Sequence, residues 1–122
     1  MAGESGNLIH AREEGAAGVF SIGVPRVSDA DTIERLGHEI RRAIAASAKS
    51  FFVLDLGGVE FLTSAALGLI INIHANLIER GCSFALAAPQ GEVARVLRQT
   101  RLDKILRVCP SVQEAVRDFC SR

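Results

Sequence analysis

The sequence predicts an α/β fold, a mixed β-sheet of about four to five strands carrying about four α-helices in a single domain. Three observations predict it. Residues 51–56 (FFVLDL) and 83–88 (SFALAA) are almost continuously apolar, the pattern of strands covered on both faces. Between such runs, apolar residues recur at steps of three and four, the signature of amphipathic helices. Gly and Pro punctuate at short intervals, without a linker, a repeat or a low-complexity tract.

In chain order, residues 8–12 and 18–24 are β-prone stretches around Glu13, Glu14 and Gly15, which reads as a hairpin. Ser28, Asp29 and Asp31 offer N-caps to a helix whose Ile33, Leu36, Ile40 and Ile44 draw one buried stripe. After the strand 51–56, Gly57 and Gly58 turn the chain, and residues 59–62 carry it to Thr63 and Ser64. A second helix runs from there to about Arg80, where Gly81 ends it. The strand 83–88 stops at Pro89. A third helix carries Val93, Val96, Leu97 and Thr100, and residues 105–108 read as a short edge strand. Ser111 with Glu114 forms a capping box for a last helix that turns Val112, Ala115, Val116 and Phe119 inward. The order β-β-α-β-α-β-α-β-α implies parallel pairing with right-handed crossovers after one antiparallel hairpin. Periodicity leaves open whether helices cover one face of the sheet or both.

Composition narrows function. With 122 residues and 48% apolar content, the chain buries a core without disulfide or metal staples. It reads as one domain over residues 1–122, with 1–7 flexible. Fourteen Lys and Arg against 14 Asp and Glu give formal net charge zero, which argues against nucleic acid or an anionic membrane as the main partner. Trp and Tyr are absent, so no aromatic platform stacks bases. Cys82, Cys109 and Cys120 form no CxxC pair, which supports neither a disulfide framework nor a zinc site and fits a reducing compartment. The start of the chain lacks the basic and apolar regions of a signal peptide. The longest apolar stretch, 65–71, is far short of the roughly 20 residues of a membrane span. These features lead us to expect a cytoplasmic protein without membrane insertion.

Catalytic equipment is thin. No Walker A run, dinucleotide-binding glycine motif or nucleophile elbow occurs. His10, His38 and His74 are too scattered for a metal pair, and His74 reads as a packed helix histidine. Glu13 and Glu14 read as a solvated hairpin tip. Arg95, Arg98, Arg101, Lys104 and Arg107 recur every third residue and read as a solvated face, with phosphate contact as the alternative. A serine nucleophile at Ser64 would need a histidine base, and His74, ten residues along the same helix, lies about 15 Å away. No catalytic residue, metal or cofactor is therefore assigned.

Residues 53–68 (VLDLGGVEFLTSAALG) stand out. A buried strand delivers two hydroxyls, Thr63 and Ser64, to a helix N-terminus, where four N–H groups lack intrahelical partners and the macrodipole adds about half a positive charge. Either hydroxyl suits an N-cap, and the same spot accommodates a phosphate carried by a serine.

The stretch Phe61-Leu62-Thr63-Ser64-Ala65-Ala66-Leu67-Gly68 resembles the signature of STAS-domain anti-sigma factor antagonists, Phe-hydrophobic-Asp-Ser-Ser-Gly-Leu-Gly. The likeness extends over almost the whole chain, through Gly23, residues 93–102, Ile105, Leu106 and residues 111–119. It implies a STAS fold and a phosphoacceptor at Ser64, with Thr63, Ala65 and Arg26 as neighbours. Here Thr63 replaces the signature Asp, Ala65 the second Ser and Ala66 the Gly, and Arg26 stands where an acidic residue is common. The resemblance further implies a switch: the unmodified protein sequesters an anti-sigma factor with serine-kinase activity, freeing a sigma factor, and a serine phosphatase reverses the modification. A non-switching STAS subunit, in a stressosome-like assembly or a lipid-transport ATPase complex, is the alternative. A partner face is expected on the second helix, with packing of the same residues against a neighbouring helix as the alternative. With Leu67, Ile70, Ile71, Leu77 and Ile78 turned to the sheet, Leu69 and Ile73 point outward among Asn72, Asn76, Ala65 and Arg80.

Overall fold

A computed structural model describes residues 8–120 and gives an α/β architecture. Residues 1–7, expected to be flexible, and the Phe119 side chain, expected to turn inward, lie outside the described residues. The main sheet has five strands: β1 (Ile9–Glu14), β2 (Ala17–Ile22), β4 (Phe51–Asp55), β6 (Ser83–Ala87) and β7 (Arg107–Cys109), in the order β1-β2-β4-β6-β7. β1 and β2 form the antiparallel hairpin, and every other pair is parallel. Two further strands, β3 (Arg26–Val27) and β5 (Phe61–Leu62), pair with each other in a small parallel ribbon. Four helices complete the fold: α1 (Ala30–Ala45), α2 (Ser64–Glu79), α3 (Gly91–Gln99) and α4 (Val112–Cys120).

Helices cover both faces, unequally. Phe20, Phe52, Leu54 and Leu86 join Leu36, Ile40, Ile70, Leu77, Val93 and Leu97 in one core under α1, α2 and α3. Phe20 and Phe52 stack across β2 and β4 with centroids 5.6 Å apart. On the other face, Val19, Val53, Ala85 and Ala87 pack against Val112 and Ala115 of α4. Because side chains alternate along a strand, the continuous apolar runs of β4 and β6 supply both cores at once.

Caps follow local rules. Asp29 accepts the Thr32 N–H at the start of α1, and Ser111 accepts the Glu114 N–H at the start of α4. Gly81, at φ +81°, follows the end of α2 in a conformation that costs glycine little. The edge strand expected at 105–108 begins later, at Arg107. Leu102–Lys104 instead forms a 3₁₀ turn that buries Leu102 and Leu106. These two leucines fall at helical rather than strand spacing, and that decides the turn.

Candidate functional site: the start of helix α2

The segment that carries Thr63 and Ser64 is held from three sides. Asp55, the last residue of β4, accepts the Gly57 N–H at 2.9 Å through one carboxylate oxygen and the Ser21 hydroxyl at 2.9 Å through the other. Arg12 donates in turn to Ser21. The turn at Gly57 is thereby tied to β2 and β1, and Gln90 donates to the Gly57 carbonyl from the start of α3. Beyond the turn, Pro25 O accepts the N–H groups of Glu60 and Phe61, and Val27 O accepts that of Thr63. The β3–β5 ribbon thus sets the backbone position of Thr63.

Thr63 is the N-cap. Its backbone is extended and its hydroxyl accepts the Ala66 N–H at 3.3 Å. Ser64 is the first residue of α2 and is exposed; among the described residues its side chain makes no hydrogen bond. Two adjacent hydroxyls therefore divide the work, one closing the helix and one left free at its positive end. Thr63→Ala should cost about 1 kcal/mol of stability, read as a lower urea midpoint at unchanged slope. Thr63→Asp should keep the cap.

Arg26 lies one strand away, in register with Phe61, and its guanidinium sits over the Phe61 ring at 4.6 Å. This cation–π contact holds the positive charge against the strand that leads into Ser64.

The outward face of α2 differs from the sequence expectation. Ile73 is 2% exposed and belongs to the core, and Leu69 is half-buried, so neither forms a surface pair. The exposed isoleucines are Ile71 (39%) and Ile78 (52%), expected to face the sheet. α1 decides this. Gly37 of α1 is buried so close to α2 that a Cβ there would stand 2.9 Å from Leu69 Cδ1. Arg41 donates to Asn72 Oδ1, which also accepts from Asn76. The Leu69–Asn72–Asn76 flank therefore leans on α1, Asn72 and Asn76 stay exposed at its rim, and the opposite flank is left open. At about 100° per residue, Ser64, Gly68, Ile71, Ala75 and Ile78 share one sector of α2. All five are exposed and uncharged. Around a Cβ built at Gly68 there is nothing within 4 Å.

Elsewhere the chemistry is structural. His74 is half-buried beside Phe84, with Nδ1 unpartnered, on the inner flank of the same helix. Glu14 pairs with Arg12 and Glu13 with Lys49 at the hairpin. Burial pushes the Cys109 thiol up, and the Asp118 carboxylate adds to the rise. Among the described residues, no group of three or more His, Cys, Asp or Glu converges as a metal site, and no helix is long and apolar enough to cross a membrane.

The STAS domain family model matches residues 10–115. The chain belongs to the STAS domain family. A Thermotoga maritima protein named "Putative anti-sigma factor antagonist" is 38% identical over 65 residues, 53% of this chain and 58% of that protein. The aligned stretch thus spans less than two thirds of that relative. Among solved structures, an anti-sigma-factor antagonist (STAS) domain protein from Planctomyces limnophilus superimposes with a TM-score of 0.82 at 23% identity, covering 92% of this chain and 97% of the other. SpoIIAA in its unphosphorylated form, an anti-sigma factor antagonist, matches with TM-score 0.73 at 16% identity over 93% and 97% of the two chains. The Bacillus cell fate determinant SpoIIAA in its phosphorylated form matches with TM-score 0.67 at 15% identity over 91% and 98% of the two chains. At these identities the structural likeness shows the fold.

Proposed function

We propose that this STAS domain is an anti-sigma factor antagonist, a cytoplasmic protein-binding switch controlled by phosphorylation of Ser64. The division of labour at the start of α2 carries the reading: Thr63 caps the helix, so Ser64 is free to be modified without loss of the cap. The reading assigns two partners, an anti-sigma factor with serine-kinase activity, which the unmodified protein sequesters to free a sigma factor, and a serine phosphatase that removes the phosphate. In this reading Arg26, one strand from Ser64, is the counter-ion to the phosphate, and Ser64 phosphorylation that is indifferent to Arg26→Glu speaks against that role.

The partner's footprint in this proposal begins at Ser64 and continues along Gly68, Ile71, Ala75 and Ile78, on the flank away from α1. The stripe extends about 21 Å, the rise of fourteen helical residues. Ile71→Asp and Ile78→Asp should each leave the far-UV spectrum and urea midpoint near wild type while lowering partner affinity at least tenfold. Unchanged affinity in both removes this face from the proposal.

The deciding experiment captures partners from native cytoplasm with wild-type, Ser64→Ala and Ser64→Asp baits, read by mass spectrometry. A kinase-fold protein retained by the Ala bait and lost by the Asp bait, with phosphate on wild-type Ser64, supports the switch. Identical partners on all three baits with Ser64 bare favour a constitutive STAS scaffold or subunit, a reading consistent with Thr63 at the signature Asp position.

A further inference from the structure

The basic run singled out in the sequence does not lie on one helix. α3 ends at Gln99, and Arg101 follows in the left-handed conformation, φ 61°, where glycine ordinarily ends a helix without strain. The chain then makes the 3₁₀ turn Leu102–Lys104 before entering β7. Hydrogen bonds from the Lys104, Ile105 and Leu106 N–H groups back to Arg101 O and Leu102 O brace this turn. Leu102 and Leu106 are buried on either side of it. Ile105 is therefore held outward by a braced turn anchored in the core, and at 63% it is the most exposed of the large hydrophobic residues described.

Cations are close to it in the sequence. Arg98, Arg101 and Lys104 are exposed, and among the described residues none makes an ion pair; Arg107 is bridged to Asp118. Residues 98–107 hold four cations and one carboxylate, Asp103. With Arg107 neutralised by Asp118, the patch carries +2 in a chain of net charge zero, which leaves −2 on the remainder. Overall neutrality, which argued against an anionic surface, conceals this asymmetry. The turn leads into β7, a strand parallel to β6, whereas Ser64 follows β4 and the β5 ribbon.

We propose that this turn is a peripheral docking site for an anionic lipid bilayer, with Ile105 entering the headgroup region and Arg98, Arg101 and Lys104 on lipid phosphates. A protruding apolar side chain in a basic stretch suits a deformable, negatively charged surface rather than a shaped pocket. Arg101 keeps a cation at a position where glycine would relieve backbone strain. The inference does not depend on phosphorylation or on any protein partner.

Sedimentation with vesicles of phosphatidylcholine, with and without phosphatidylglycerol, tests it at low ionic strength. Binding is expected only to the anionic vesicles and should fall as salt is added. Arg101→Gly should weaken binding about fivefold while raising the urea midpoint, since it removes both a charge and a strained backbone. Lys104→Glu should weaken it roughly tenfold or more, and Ile105→Ser about fivefold, all with far-UV spectra of the wild type. Absence of lipid-dependent binding by the wild type overturns the proposal and leaves the patch to an acidic protein surface. Wild-type binding that all three variants retain overturns it as well.

Discussion

Ile73→Asp is expected to destabilise the protein by about 4 kcal/mol or more, enough to leave a substantial unfolded fraction at room temperature in a domain of ordinary stability. Ile73 is 2% exposed and packs in the core beneath α1 and α2. Its replacement forfeits about 1.5–3 kcal/mol of apolar burial and adds a carboxylate with no prepared partner. Arg41, which lines the same interhelical cleft, already donates to Asn72. The paired variants Ile71→Asp and Ile78→Asp, at exposed sites on the same helix, should cost less than about 1 kcal/mol. Urea unfolding of the three decides the matter. An Ile73→Asp protein with a wild-type midpoint and lost partner affinity would restore the face inferred from sequence.

The second large effect is expected at Ser64, where stability and binding should part company. A phosphate carries about −1.5 to −2 charges at neutral pH. At the first position of α2 it meets free N–H groups and the positive end of the helix, so the domain itself should change by less than about 1 kcal/mol, in the stabilising direction. In a protein interface that closes over Ser64, the same charge is buried without a partner at about 3–5 kcal/mol. Affinity should therefore fall by roughly a hundred- to a few-thousand-fold, at about 1.4 kcal/mol per tenfold. Calorimetric titration of the captured partner against Ser64→Ala, Ser64→Asp and phosphorylated protein, beside thermal melts of each, separates the two effects. Equal affinity for all three refutes the switch. A loss of affinity matched by a loss of melting temperature would trace the effect to unfolding.

Strand and helix identities were legible because they rest on local pattern. β4 and β6 are apolar on both faces, and a hydrophobic run that also makes crossover connections belongs in the middle of a parallel sheet. The caps of α1 and α4 and the glycine after α2 likewise depend on neighbours a few residues away. The β3–β5 ribbon escaped notice, since two-residue strands carry no periodicity and exist only where Pro25 and Val27 meet residues 60–63 in space. The assignment of Thr63 as cap and Ser64 as the free hydroxyl was similarly out of reach: both residue types suit either role, and backbone dihedrals choose between them.

α2 shows the limit most plainly. Apolar residues lie on most of its circumference, so Leu67, Ile70, Ile71, Leu77 and Ile78 form a plausible inner stripe, and Ala66, Ile70, Ile73 and Leu77 form another. The sequence by itself determined that α2 is a helix, that it follows a buried strand, and that two hydroxyls stand near its positive end. Tertiary structure alone decided which stripe is buried, because the choice rests on α1. Gly37 admits α1 close to Leu69, the interhelical contact buries Ile73, and Ile71 and Ile78 are left on the open flank beside Ser64. Helical periodicity specifies which residues share a face, whereas the packing of a neighbouring helix specifies which of two apolar faces is removed from water.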